Sequence, residues 1–298
     1  MNAAAVPVVA GVDGSERGSA AVLAAADAAV RRGRPLRVVH ALVYVPAGVT
    51  MSPSIAPPAY PAYLAQAEYL VAHAAGLARR RAPGLSVTSA VVPGGAAAVL
   101  VDESRRADLL VIGDHGVSAA AELVIGSVAA QTAAHSACPV LIVRGAPHPE
   151  GAVVVGVDGS AGSQGALVFA AEEASRRDAD LVAVHTWNDG DGTELNAELP
   201  MTYETWSGDE EQKRVLAEAL AGLAQKFPDL RVRSLVRRGF ARRVLTEHSR
   251  TAQLLVVGSR GHGGFTGLLL GSVGRHLAHH ADCPVAIVRT QPPPHSVS

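Results

Sequence analysis

Lysine is almost missing from this chain: only Lys213 and Lys226 accompany the arginines in a total of 26 basic residues, set against 27 acidic ones. With a formal net charge of -1 there is no basic excess of the kind that nucleic acid requires, so DNA or RNA binding is not expected. Cysteine is equally scarce. Cys138 and Cys283 each precede proline at the head of an apolar run, where cysteine acts as a small buried hydrophobe rather than a ligand. A reduced, cytoplasmic setting is expected, with inert core thiols. No apolar run reaches the roughly 18 residues of a membrane span, and Met1 to Val6 lacks the basic leader of a secretory signal. No membrane association is expected.

Two phosphate-binding signatures are missing as well. No G-x4-G-K-[ST] loop exists, because neither lysine follows glycine, and no G-x-G-x-x-G follows the first apolar run, which ends Gly11-Val-Asp-Gly14. Efficient phosphoryl transfer needs a cation at the developing charge and a residue that orients the nucleophile. Arg260 is the single assignable cation, and no catalytic residue is assigned.

What the chain does contain is a glycine-rich stretch, Gly258 to Ser272, directly after the apolar run Leu254-Leu-Val-Val257. It reads as strand, loop, helix, with glycines that permit positive φ and let backbone amides approach a bound anion. The pattern occurs earlier too, as Gly113-Asp-His-Gly116, nine residues, then Gly126-Ser127, after Leu109-Leu-Val-Ile112. Gly113 and Gly258, Gly126 and Gly271, Asp13 and Asp158, His40 and His185, and Cys138 and Cys283 are all 145 positions apart. The chain is therefore a tandem repeat of two units, each large enough to bury its own core.

Within the first unit the expected order is strand Val6 to Val12, helix to Arg32, strand Leu36 to Val43, a proline-rich loop from Pro46 to Pro61, and helix Ala62 to Arg81. Strand Leu85 to Val92, helix Ala96 to Arg106, the glycine loop after strand four, helix Glu122 to Ser136 and strand Pro139 to Val143 complete it. The second unit repeats this as Ala152 to Val157, Ser160 to Arg177, Leu181 to His185, a polar loop, Glu210 to Lys226, Leu230 to Val236, Ala241 to Arg250, Gln253 to Val257, Gly267 to His280 and Pro284 to Val288. Alternation of this kind predicts parallel sheets covered by helices on both faces. The boundaries are 1–145 and 151–290 for the two domains, 146–150 for a linker and 291–298 for a disordered tail.

Val9-Ala-Gly-Val-Asp-Gly-Ser15 and Val154-Val-Gly-Val-Asp-Gly-Ser160, the two G-x2-G-x9-G-S loops, and the endings Cys138-Pro-Val-Leu-Ile-Val-Arg144 and Cys283-Pro-Val-Ala-Ile-Val-Arg289 resemble universal stress proteins of the ATP-binding class. The resemblance covers both halves. It implies two tandem Rossmann-like domains of the adenine nucleotide alpha hydrolase-like kind, each a five-stranded parallel sheet of order 3-2-1-4-5, with ATP beyond the carboxyl ends of strands one and four. The implied binding residues of the first unit are Gly11, Val12, Asp13, Ala41, Gly113, Asp114, His115, Gly116, Val117, Gly126, Ser127 and Val128. Those of the second are Gly156, Val157, Asp158, Thr186, Gly258, Ser259, Arg260, Gly261, His262, Gly263, Gly264, Gly271, Ser272 and Val273. Magnesium is a further expectation near Asp13 and Asp158. The second loop, richer in glycine and with Arg260 in place of His115, is expected to be the better site.

Plainer roles compete for several of these residues. Asp13 and Asp158 suit the turn before a helix N-terminus, Ser15 and Ser160 suit N-caps, and His40 and His185 suit structural hydrogen bonds. Three functional readings follow: a nucleotide-binding regulatory protein of the stress response, a slow ATPase using Mg2+ and Asp158, and an interaction module without nucleotide. The apolar final strands would pair as sheet edges, and the resemblance implies pairing between domains of one chain, a further homodimer and protein partners of unknown identity.

Overall fold

The computed structural model describes residues 5–43, 60–116, 126–188, 206–261 and 270–289. The chain divides into two compact units, Met1–Val143 and Arg144–Ser298. Val117, His262, Gly263 and Gly264 lie outside the described residues, as do most of the proline-rich and polar loops and the tail.

In the first unit the order is β1 (Val8–Gly11), α1 (Glu16–Arg32), β2 (Leu36–Leu42), α2 (Tyr60–Arg81), β3 (Val87–Pro93), α3 (Ala96–Ser104), β4 (Leu109–Gly113), α4 (Ser127–His135) and β5 (Val140–Val143). The strands stand side by side as β3-β2-β1-β4-β5, every described pair parallel. Parallel strands joined by crossover helices are covered on both faces, and β1 and β4 are accordingly apolar and buried. Helix α1 meets the sheet through Ala21, Val22, Ala25, Ala26, Ala28 and Ala29, so its axis can lie close to the strands. Each larger side chain of this core, such as Leu109 or Leu110, contributes about 1.5–3 kcal/mol on burial.

The second unit follows the same plan: β6 (Val153–Val157), α5 (Ala161–Arg176), β7 (Leu181–Trp187), α6 (Trp206–Leu220), α7 (Leu223–Lys226), β8 (Val232–Arg238), α8 (Ala241–Ser249), β9 (Leu254–Gly258), α9 (Ser272–His280) and β10 (Val285–Val288). Its strands lie in the order β8-β7-β6-β9-β10, again parallel. Both units are thus α/β domains in which the strand order turns between the first and fourth strands. That reversal leaves a crevice beyond the strand ends.

Several element boundaries differ from expectation, three of them at glycines. The helix over Glu210 to Lys226 is two helices, because Gly222 sits in the left-handed region at φ 80° and ends the run of α-helical hydrogen bonds. Helix α4 starts at Ser127 and α9 at Ser272, with Gly126 and Gly271 extended at φ -59° and -63° as N-caps, rather than within the preceding loop.

Candidate functional site

The turns that follow β1 and β6 are near copies. Oδ1 of Asp13 accepts from the Ser15 amide at 3.0 Å and hydroxyl at 2.6 Å, and Oδ1 of Asp158 accepts from Ser160 at the same two distances. Gly14 and Gly159 between them take φ of 89° and 80°, a region that costs glycine nothing. The serines then cap their helices, Ser15 Oγ accepting from Gly18 N at 2.9 Å and Ser160 Oγ from Ser163 N at 3.2 Å. The plain role of the aspartates accounts for one carboxylate oxygen. Oδ2 of Asp13 fills the space where a side chain at Gly116 would begin, and Oδ2 of Asp158 does so at Gly261.

This contact changes the reason for the loop glycines. None of Gly113, Gly116, Gly126, Gly258, Gly261 and Gly271 is among the positive-φ residues, so left-handed freedom is not what these positions require. They require close approach. A β-carbon at Gly258 would stand 2.9 Å from the backbone carbon and oxygen of Gly162, and one at Gly113 would stand 3.0 Å from Arg17 Cβ. Gly11 and Gly156 are small for the same reason: a β-carbon would come within 2.9 Å of Leu100 and Leu245 respectively.

In the second unit Gly156, Val157, Asp158, Thr186, Gly258, Arg260, Gly261, Gly271, Ser272 and Val273 line one cavity of about 510 Å³, a size usual for a small-molecule site. Val184, Leu245 and Val257 supply an apolar inner wall, with Ser163, Ala241 and Gly274 beside them. These six were not singled out from the sequence. The i, i+4 pair Ala241 and Leu245 on a helix following β8 was the available signal.

At the polar end, α9 begins with no side-chain cap, in contrast to α1 and α5. Its first-turn amides therefore present donors and a positive dipole end to the cavity. Helix α4 begins the same way on Gly126, with Ser127 and Val128 in its first turn.

Ser259 is not on the cavity wall. It is 5% exposed, its amide donates to Val288 O at 2.8 Å, and its carbonyl accepts from Gly271 N at 2.8 Å. It pins the two ends of the loop together. Asp114 makes the equivalent backbone bonds to Val143 and Gly126, and its carboxylate accepts from the His115 amide at 3.1 Å and pairs with Arg17 at 3.7 Å. In the first unit Val12 faces a separate hollow of about 200 Å³ between α1 and α2. Ala41 lies on β2 in register with Val92, as Thr186 lies on β7 beside Arg237.

The recurring histidines are structural. His40 Nδ1 donates to Val12 O at 2.8 Å, and His185 Nδ1 to Val157 O at 2.7 Å, while His185 Nε2 meets the Gln212 side chain at 2.8 Å. Both cysteines are free and buried, and burial pushes their thiols up, to about 11 for Cys138 and about 12 for Cys283. Among the described residues there is no group of three or more His, Cys, Asp or Glu placed to hold a metal, and no helix long and apolar enough to cross a membrane.

The sequence model of the Universal stress protein family matches twice, over residues 7–144 and 151–289. The chain belongs to the universal stress protein family. A universal stress protein of Mycolicibacterium smegmatis is 37% identical over 294 residues, spanning 95% of this chain and 96% of its own. One from Mycobacterium tuberculosis is 37% identical over 299 residues, with 95% and 96% covered. Among solved structures, a universal stress protein from Archaeoglobus fulgidus superposes with a TM-score of 0.67 at 18% identity, covering 95% of this chain and 96% of that one, which shows the shared fold. Universal stress proteins solved in complex with cAMP and, from Archaeoglobus fulgidus, with dAMP match 48% and 46% of this chain at TM-scores of 0.37 and 0.36.

Proposed function

We propose that this universal stress protein binds ATP at the carboxyl ends of its central strands and uses occupancy, rather than turnover, to regulate a partner. One observation carries the reading: a helix that starts on an uncapped glycine, Gly271, faces a cavity whose inner wall is apolar. A planar base suits Val157, Val184, Leu245 and Val257, and phosphate suits the amides of Ser272 and Val273 with the Arg260 guanidinium. The choice of ATP rests on the motif resemblance together with this two-ended chemistry. In the first unit Gly113, His115, Gly116, Gly126, Ser127 and Val128 would do the same work.

Magnesium fits as a companion of the phosphates. Asp158, whose Oδ1 accepts from Ser160, lines the same cavity as Ser272 and Val273. One carboxylate plus phosphate oxygens and water is a common Mg2+ environment, and the ion would neutralise phosphate charge there. The same reading carries a cytoplasmic protein that pairs with a second copy, which light scattering in solution tests.

The deciding experiment identifies the ligand released on denaturing freshly purified protein, and then titrates nucleotide-free protein with Mg-ATP. Close to two ATP bound per chain is the expected result. Absence of bound nucleotide together with no response to Mg-ATP overturns the proposal and leaves an interaction module.

A further inference from the structure

The hollow that Val12 faces in the first unit is built from positions that the second unit uses differently. Val12, Leu70, Ala74 and Leu77 give it an apolar lining, and the exposed Gln66, Tyr69 and His73 of α2 border it. It is not the nucleotide cleft. In the second unit Ala241 and Leu245 of α8 wall that cleft, whereas no described residue of α3, the counterpart of α8, lines this hollow.

The counterparts 145 residues later bridge the same two helices. Gln164 stands for Ser19 and Ala219 for Ala74, and Gln164 Nε2 donates to the Ala219 carbonyl at 3.2 Å, joining α5 to α6. Ser19 Oγ instead donates to Ser15 O at 3.2 Å at the start of its own helix, and the space between α1 and α2 stays open. Gly222 stands for Leu77 and brings no side chain. Gln66, Tyr69 and His73 become Glu211, Arg214 and Glu218, and Arg214 pairs with both glutamates along the exposed face of α6. Such pairs are the ordinary dress of an exposed helix face. On α2 the same face carries no fixed charge at these positions, and Tyr69 is 67% exposed with its ring edge-on to His73 at 6.2 Å. The undescribed residues 44–59 between β2 and α2 hold no Asp, Glu, Lys, Arg or His.

Size and polarity select the occupant. A cavity of roughly 150 Å³ admits a benzene ring, whereas the usual ligand site starts at about 300 Å³. At about 200 Å³ the hollow takes one ring with a small substituent, and a nucleotide is too large. No lining residue carries a fixed charge, so a carboxylate or ammonium would lose water without gaining a partner. A hydroxyl has Gln66, Tyr69 and His73 to bond with.

The hollow also touches the turn that serves the first cleft. Val12 and Gly14, both lining it, are the neighbours of Asp13, and a β-carbon at Gly14 would stand 3.0 Å from Leu70 Cδ1. We propose that the first unit holds a second small-molecule site here, for a neutral phenol of one ring, resting against the Asp13 turn. The proposal stands apart from the nucleotide reading.

The test titrates the full chain, labelled with 15N, with phenol and follows the amides by NMR. Saturable shifts are expected at Val12, Gly14 and Leu70, with a dissociation constant below about 1 mM, and none at their counterparts Val157, Gly159 and Val215. Benzoate should bind at least about tenfold more weakly. Ser19→Leu places a side chain in the hollow, and Gln66→Glu/Tyr69→Arg/His73→Glu copies the second unit's helix face onto exposed positions. Each variant should abolish the shifts while its own spectrum stays dispersed. Shifts that fail to saturate, that appear alike in both units, that benzoate reproduces equally, or that persist in either variant overturn the proposal.

Discussion

Asp158 and Gly261 are locked together: one carboxylate oxygen ties the turn at Ser160, and the other occupies the space in which a side chain at 261 would begin. Two segments distant in sequence are thereby held in one wall of the cleft. Asp13 and Gly116 are related in the same way.

Substituting Gly261→Ala forces either the carboxylate or the loop to move. Affinity at the second cleft is expected to fall at least about tenfold, equal to about 1.4 kcal/mol, while the first cleft is untouched. Calorimetric titration should therefore show one site per chain weakened and one retained. An unchanged binding curve would mean that this packing plays no part in recognition.

The cysteines offer a test of burial. Thiols pushed up to about 11 and about 12 are almost wholly protonated at neutral pH, and the thiolate is the reactive form. Native protein at pH 8 is expected to react with neither iodoacetamide nor an aromatic disulfide on a timescale that labels both cysteines in denaturant. Prompt labelling of a native thiol would show that its unit opens readily.

His276 predicts a dependence on acid. Burial, then the charges of His280, Arg242 and His279, hold its imidazole below the ordinary histidine value. Below pH about 6.5 the unfolded chain takes up a proton that the folded chain resists, so stability is full above that pH and declines as the pH falls toward the depressed value. His276→Gln should lose less stability between pH 7 and pH 5 than the unsubstituted chain, measured by urea unfolding. An identical loss in both would assign acid sensitivity to other groups.

Much of the fold was legible because its signals are local. Apolar runs of four or five residues, serine before a helix, and the 145-residue repeat locate strands, caps and units without any long-range contact. The cleft was legible only in outline. Gly258 reads in sequence as a glycine freed for positive φ, yet it is small because the backbone at Gly162 crosses it. Ser259 sits amid binding residues in sequence but turns away, since alternate residues leaving a strand face opposite sides. Ala241 and Leu245 carry no polar atom to attract notice, and only the crossover from β8 brings them to the cavity. The break at Gly222 depended on a glycine inside a helical pattern adopting φ 80°.

Helices α1 and α5 are finished by the chain's own serines, whereas α4 and α9 start on bare glycine. An anion that completes those starts becomes part of the folded state and has no counterpart in the unfolded one. By mass action, ligand at a hundred times its dissociation constant adds about 2.7 kcal/mol to the unfolding free energy. The resistance of each unit to heat and proteolysis would then rise and fall with the supply of that anion, so that the lifetime of the protein itself records how much of it was present.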